Sequence, residues 1–176
     1  EIGFDFKGTN NNIIFGEDTT PLVEQLVWIG QFTGSFYLNW DRKGYKVDTG
    51  IEGYWSPGQM LAHQTPADFN ALRAGSTAKY FYSKFLLSLE LTKAPIFNFY
   101  AQGRAQIANA ALLPSEQFAV GGYSTVRGYD ERVVNGDNAF CTNVEVRTKS
   151  FSIASLWTSK VADAMHFLVF FDAGRG

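Results

Sequence analysis

Hydrophobic and polar residues alternate along most of the chain with a period of two. In "YKVDTGIEGYW", Tyr45, Val47, Thr49, Ile51 and Trp55 share one face, and Lys46, Asp48, Gly50 and Glu52 share the other. In "KYFYSKFLLSLEL", Phe81, Phe85, Leu87, Leu89 and Leu91 oppose Tyr82, Lys84, Ser88 and Glu90. In "IFNFYAQGRAQI", Phe97, Phe99, Ala101, Ala105 and Ile107 oppose Asn98, Tyr100, Gln102, Arg104 and Gln106. Residues 22–40 place Leu26, Trp28, Phe32, Phe36, Leu38 and Trp40 opposite Gln25, Gln31, Thr33, Ser35 and Asn39. Residues 138–148 and 166–174 continue the pattern less cleanly. Side chains of a strand point alternately to its two faces, so this period predicts strands. No long stretch has the 3.6-residue period of a helix. The "TNNN" run at 9–12 reads as a turn or bulge between two short apolar pieces.

Alternation suits any amphipathic antiparallel sheet, and three further features select a bilayer. Several strands exceed the usual five or six residues and approach the nine to eleven or so that cross a membrane. The apolar faces are bounded by Trp28, Trp40, Tyr45, Trp55 and Tyr80, as in the aromatic girdles of a membrane interface. The connections are short at 41–44 and 93–95 and long at 56–77 and 111–137. Outer-membrane barrels alternate short turns with long outer loops in this way. Residues 149–165 depart from the rule, because their parity calls for a short connection. The predicted fold is all-β, an antiparallel transmembrane β-barrel.

Composition narrows the function. Aromatic residues are 16% of the 176 and charged residues 18%, with a formal net charge of -2. Nothing here favours general electrostatic attraction to nucleic acid. A lone cysteine, Cys141, excludes an internal disulfide framework or a cysteine metal cluster. The chain starts and stops inside strand-like text, at "EIGFDF" and "FFDAGRG", so a piece of something longer is expected.

Searches for catalytic chemistry find little. Ser124 in "GGYSTV" lacks the following glycine of a nucleophile elbow. His63 and His166 have no Cys, His or Asp set at ligand spacing. No catalytic residue, metal site or cofactor is expected. The inward polar set is more informative. Arg104, Glu145 and Arg147 lie on polar faces, and so does Asp172, with Phe167, Val169 and Phe171 pointing the other way. A carboxylate in so apolar a strand needs a cation or several donors, unless a wet lumen solvates it. An arginine would fork onto it bidentately.

The motifs then carry a resemblance. "VRGY" at 126–129, preceded by "LLPSEQFAVGG" and followed by "DERVVNGD", resembles the lid-loop signature of the POTRA-bearing outer-membrane barrel superfamily. "FFDAG" at 170–174 contains F-x-D-x-G, which resembles that superfamily's second signature, with Phe170 and Gly174 at its ends. The flanking text is similar to haemolysin secretion/activation transporters of the ShlB/FhaC/HecB type. The resemblance implies a complete barrel of about sixteen strands, of which about seven are placed in residues 1–176. POTRA domains and the terminal strands would lie outside the chain.

It also implies that residues 111–137 fold back into the lumen as a lid, with Arg127 meeting Asp172 on the wall. Gly128 would let the backbone turn beside Val126, Tyr129 would pack next to it, and Gly121 and Gly122 would let the loop bend. Arg104, Glu145, Arg147, Lys84 and Glu90 would line the lumen. The implied activity is export of an unfolded, haemolysin- or adhesin-like exoprotein across the bacterial outer membrane by two-partner secretion. Its partners would be that exoprotein and outer-membrane lipid, with no nucleic acid and no small-molecule cofactor. A barrel-assembly factor of the same superfamily is the alternative. A passive porin and a soluble β-sandwich are more distant ones.

Overall fold

The computed structural model describes residues 1–13, 23–154, 157 and 163–176, with backbone only at 10–13 and 23–25. Nine strands and one short helix are assigned among them: β1 (Ile2–Ile13), β2 (Val23–Arg42), β3 (Tyr45–Ser56), α1 (Pro66–Leu72), β4 (Tyr80–Leu91), β5 (Phe97–Ala108), β6 (Phe118–Val120), β7 (Val134–Gly136), β8 (Ala139–Thr148) and β9 (Leu168–Arg175). Seven of them form one antiparallel sheet in the order β1-β2-β3-β4-β5-β8-β9, and β6 pairs with β7 in a separate hairpin. The fold is an all-β barrel segment whose sheet is not closed.

Long ladders hold the sheet together. β3 and β4 pair from Tyr45↔Leu91 to Ser56↔Tyr80, and this register keeps like faces together. Ile51 meets Phe85, and Glu52 meets Lys84. Phe36, Leu38, Trp40, Trp55, Phe81, Phe85, Leu87, Phe97 and Ile107 consequently form one exposed apolar face. Cross-strand aromatic pairs reinforce it, with Phe6 stacked on Trp28 at 5.1 Å and Phe32 on Trp55 at 5.6 Å.

Several expectations need correction. The "TNNN" run is strand, because β1 continues along β2 through Thr9↔Val27, Asn10↔Leu26 and Asn11↔Gln25. Ladder hydrogen bonds override the poor strand preference of asparagine there. Leu22, the predicted first residue of the second segment, and the "IFG" at 14–16 lie outside the described residues, as does part of 149–165. Tyr80 does not belong to the aromatic girdle. It is 2% exposed and faces inward, one parity step from Phe81. The last strand begins at Leu168, two residues later than predicted.

The inner face is not polar throughout. Where the long connections meet the sheet, Val27 and Ile29 of β2 are buried with Tyr80, Tyr82, Phe69, Ala78, Leu112 and Leu113. The cover comes partly from α1, too short to show a helical period. Its N-terminus is set by a capping box. The Thr65 side chain accepts from the Asp68 amide at 3.2 Å, and the Asp68 carboxylate accepts from the Thr65 amide at 3.2 Å. Pro66 fits the first turn, and Phe69 packs toward the Tyr80 ring at 6.4 Å. This small core fixes the base from which the next long connection, 111–137, departs.

Candidate functional site

Residues 111–137 carry a short hairpin within a longer run of turns. Leu112 and Leu113 tuck into the core, and a turn over Pro114 closes with the Glu116 amide donating to the Leu113 carbonyl at 2.9 Å. The chain then pairs with itself through Phe118↔Gly136 and Val120↔Val134. Beyond β6 the backbone reverses at Gly121 and Gly122, with φ of +108° and +97°. A Cβ at Gly121 would lie 2.5 Å from the Asp130 carbonyl oxygen, so glycine is required by space as well as by φ. The Thr125 amide donates to the Gly122 carbonyl at 3.1 Å, and the Thr125 hydroxyl accepts from the Gly121 amide at 2.8 Å. That compact turn presents Val126 and Arg127.

The sheet supplies the receiving surface. Asn143 of β8 stands opposite Asp172 of β9, and Glu145 opposite Phe170. All four side chains face the hairpin. Arg127 Nε donates to Asp172 Oδ2 at 2.7 Å and Nη2 to Oδ1 at 2.7 Å, a two-bond fork. The Arg127 backbone amide also donates to Asp172 Oδ2, at 3.0 Å. Asn143 Nδ2 donates to Asp172 Oδ1 at 2.9 Å, and to the Thr125 carbonyl. The remaining guanidinium nitrogen of Arg127 pairs with Glu145, whose other oxygen accepts from Arg147 Nε at 2.6 Å.

The guanidinium also lies over the Phe170 ring at 3.8 Å, and Arg147 over the Tyr100 ring at 4.7 Å. The side chains of Arg127, Glu145 and Asp172 are 18%, 12% and 3% exposed, so water screens this cluster only slightly. The Asp172 and Glu145 carboxylates hold Arg127 protonated well above the ordinary arginine range, the Asp172 hydrogen bonds contributing most.

Gly174 has a packing role. A Cβ there would stand 2.7 Å from Val120 Cγ1 and 3.1 Å from Val126 Cγ2. Its bare backbone lets the hairpin lie flat on β9, where Val120, Val126 and Ala139 are buried beside Phe118. Gly128, with φ of +89°, carries the chain away from the wall. Tyr129 follows it with its ring 64% exposed, lining a small cavity with Val126, Asp172 and Gly174.

The residues expected to line a lumen separate into groups. Arg104 donates to the Ser124 carbonyl, so it holds the hairpin from the inner face of the sheet. Lys84 sits over the Tyr54 ring at 5.0 Å, and Glu90 stands opposite Tyr100 in the ladder. These two belong to the wall and do not touch the hairpin cluster. A cavity of about 450 Å³ lies between hairpin and wall, with Glu52, Lys84, Arg104, Gln106, Gln117 and Glu131 among its lining. Among the described residues no His, Cys, Asp and Glu group could hold a metal ion, and no helix is long and apolar enough to cross a membrane.

Periodicity does not single out Glu116, Arg73 or Asp137. Arg73 forks onto Asp137 at 2.7 and 2.9 Å, joining the end of α1 to the end of the hairpin. The Asp137 hydrogen bonds hold the Arg73 guanidinium above its ordinary range. Burial raises the Asp137 carboxyl, but Arg73, the Leu112 amide and Gln117 outweigh it and hold that carboxyl below the usual value. Glu116 in "SEQF" and Asp137 in "NGDN" flank the VRGY motif, and nothing local marks them as paired.

A family model described as haemolysin secretion/activation protein ShlB/FhaC/HecB matches residues 42–176, which runs from the last residue of β2 to the end of the chain. No curated protein and no solved structure matches the chain.

Proposed function

The chain belongs to the ShlB/FhaC/HecB haemolysin secretion/activation family, and from that membership we propose that it is a barrel segment of an outer-membrane pore that exports one partner exoprotein. The family is one of two-partner secretion transporters of the bacterial outer membrane, so protein transport is its general activity. In our reading the exoprotein is haemolysin- or adhesin-like and passes as an unfolded chain. Residues 1–176 contribute part of the barrel wall, and 111–137 form an inward-folded lid. POTRA domains elsewhere in the protein would receive the partner, and no cofactor takes part.

One observation carries the lid reading: the Arg127 fork on Asp172, at 2.7 Å for both bonds, made by a residue 45 positions away in sequence. A solvated lumen would leave Asp172 free in water. Here it is nine-tenths covered and accepts from a side chain, a main-chain amide and Asn143. Deleting one partner of such a pair costs about 3–5 kcal/mol in a buried setting, less where water enters. That range suits a seated state that a translocating chain could displace.

The experiment is Arg127→Ala in the intact protein, scored by exoprotein released to the medium and by the amount of barrel inserted in the outer membrane. Reduced export at normal insertion is expected. Full export by the variant would overturn the lid reading.

A further inference from the structure

The tip of the hairpin is held by the two signatures, but its foot is held by a network outside both. Glu116 stands where the chain leaves the apolar core and enters β6, with its side chain 2% exposed. Lys7 Nζ of β1 lies 2.7 Å from Glu116 Oε1, and also 3.3 Å from Asp5. The Tyr82 hydroxyl of β4 donates to Glu116 Oε2 at 2.7 Å, and Gln31 Nε2 of β2 donates to the same oxygen at 3.1 Å. Gln31 Nε2 also donates to Asp5 at 2.9 Å, and Gln31 Oε1 accepts from the Tyr80 hydroxyl at 2.9 Å. The Ser115 hydroxyl donates to Oε1 at 3.1 Å.

A carboxylate this deep would be neutral or expelled without such partners. Burial raises the Glu116 carboxyl, but the Lys7 and Tyr82 hydrogen bonds outweigh it and keep it ionised. Below it, Gln106 Nε2 donates to the carbonyls of Glu116 and Asp137 at 3.0 and 3.2 Å. One amide therefore ties the outgoing and returning legs of the hairpin together. The leg from Glu116 is short and paired, so its starting point sets where the turn arrives.

We infer that Glu116 is a positioning residue for export: it fixes the foot of the lid on β1, β2 and β4 so that Arg127 arrives over Asp172 and Glu145. This rests on the lid reading above. Lys7 and Gln31 precede the residues matched by the family model, so the foot joins the matched region to the two strands before it.

Cys141 provides a readout other than export. It is the one cysteine of the sequence, is 2% exposed, and lies between Arg104 and Gly174 in the ladders. Arg104 is capped by Ser124, and Gly174 by Val120 and Val126, so the seated hairpin covers both flanks of the thiol. In the intact protein in outer-membrane vesicles, a membrane-impermeant maleimide should label Cys141 slowly. Only inserted barrel is counted, by mass spectrometry of its peptide.

Glu116→Ala and Lys7→Met should each speed labelling at least about fivefold, the population change produced by a small loss of stability. Arg127→Ala should do the same. Unchanged labelling in both foot variants, with fast labelling in Arg127→Ala, would overturn the role of Glu116 and leave the lid intact. Unchanged labelling in all three would overturn the lid and this inference together.

Discussion

Asp172 receives Arg127 twice over, once through the guanidinium fork and once through the backbone amide at 3.0 Å. The carboxylate therefore registers where the main chain of the turn lies as well as which side chain it bears. A long cation reaching in from elsewhere could neutralise Asp172 but would leave the amide bond unmade. The contact is specific to a turn seated flat on β9.

Lysine at 127 is a sharp test of that geometry. It keeps the charge and the amide but loses the planar fork, the contact to Glu145 and the stacking on Phe170. Arg127→Lys is expected to export closer to Arg127→Ala than to wild type. Exoprotein in the medium per inserted barrel is the measurement, and near-normal export would mean that charge alone suffices.

Charge balance makes a second prediction. Arg127 and Arg147 share the cluster with Glu145 and Asp172, so Glu145→Gln leaves two guanidiniums facing one carboxylate. Adding Arg147→Met to Glu145→Gln should recover stability, with a coupling of roughly 0.5–3 kcal/mol as for directly contacting residues. The thermal midpoint of detergent-purified barrel should be higher for the double variant than for Glu145→Gln. Simple additivity would show that Arg147 is independent of the site.

The pH response follows from the direction of each shift. Glu116 and Asp137 are held below their ordinary values of 4.5 and 3.8, so the stabilisation they give is complete above those values and is lost as pH falls below them. Arg127 is shifted upward, so its contribution is present at all lower pH and disappears only in strong alkali. Conductance of the pore in planar bilayers should stay level between about pH 5 and 9 and rise below about pH 4. A step near neutrality would mean that some other group governs the lid.

Two glycines of the hairpin should respond differently to alanine. At Gly121 the added methyl meets the Asp130 carbonyl at 2.5 Å and Val133 Cγ1 at 2.7 Å, in addition to the strain of φ +108°. At Gly128 nothing lies within 4 Å, so only the backbone strain of about 1–2 kcal/mol applies. Gly121→Ala should accelerate Cys141 labelling far more than Gly128→Ala. Equal effects would show that the close turn at Gly121 is not needed for seating.

The strands could be read from the sequence because each face has one consistent environment. Ile51, Phe85 and Leu87 alternate with Glu52, Lys84 and Ser88, and the register keeps those sets apart. Such reading failed where a second layer covered the sheet. Tyr80 looked like a girdle residue because it is aromatic at a strand end, but the α1 segment buries it. Arg127 and Asp172 could be joined only through the motif resemblance, since no periodicity spans 45 positions. Glu116 escaped notice because its partners Lys7, Gln31 and Tyr82 come from three strands, and a contact between distant elements leaves no local pattern.

The hairpin also acts on the sheet that holds it. Its foot is fastened to β1, β2 and β4 through Glu116, its shoulder to β5 through Ser124, and its tip to β8 and β9 through Thr125 and Arg127. Mechanically this is a tie rod strung across an arch, because a chord of fixed length sets the curvature of the wall above it. In the lid reading proposed above, releasing the tip would remove an obstruction and also slacken the wall. On that proposal bore and blockage would be one variable, and an emerging chain that lifted the tip would meet a passage already free to widen.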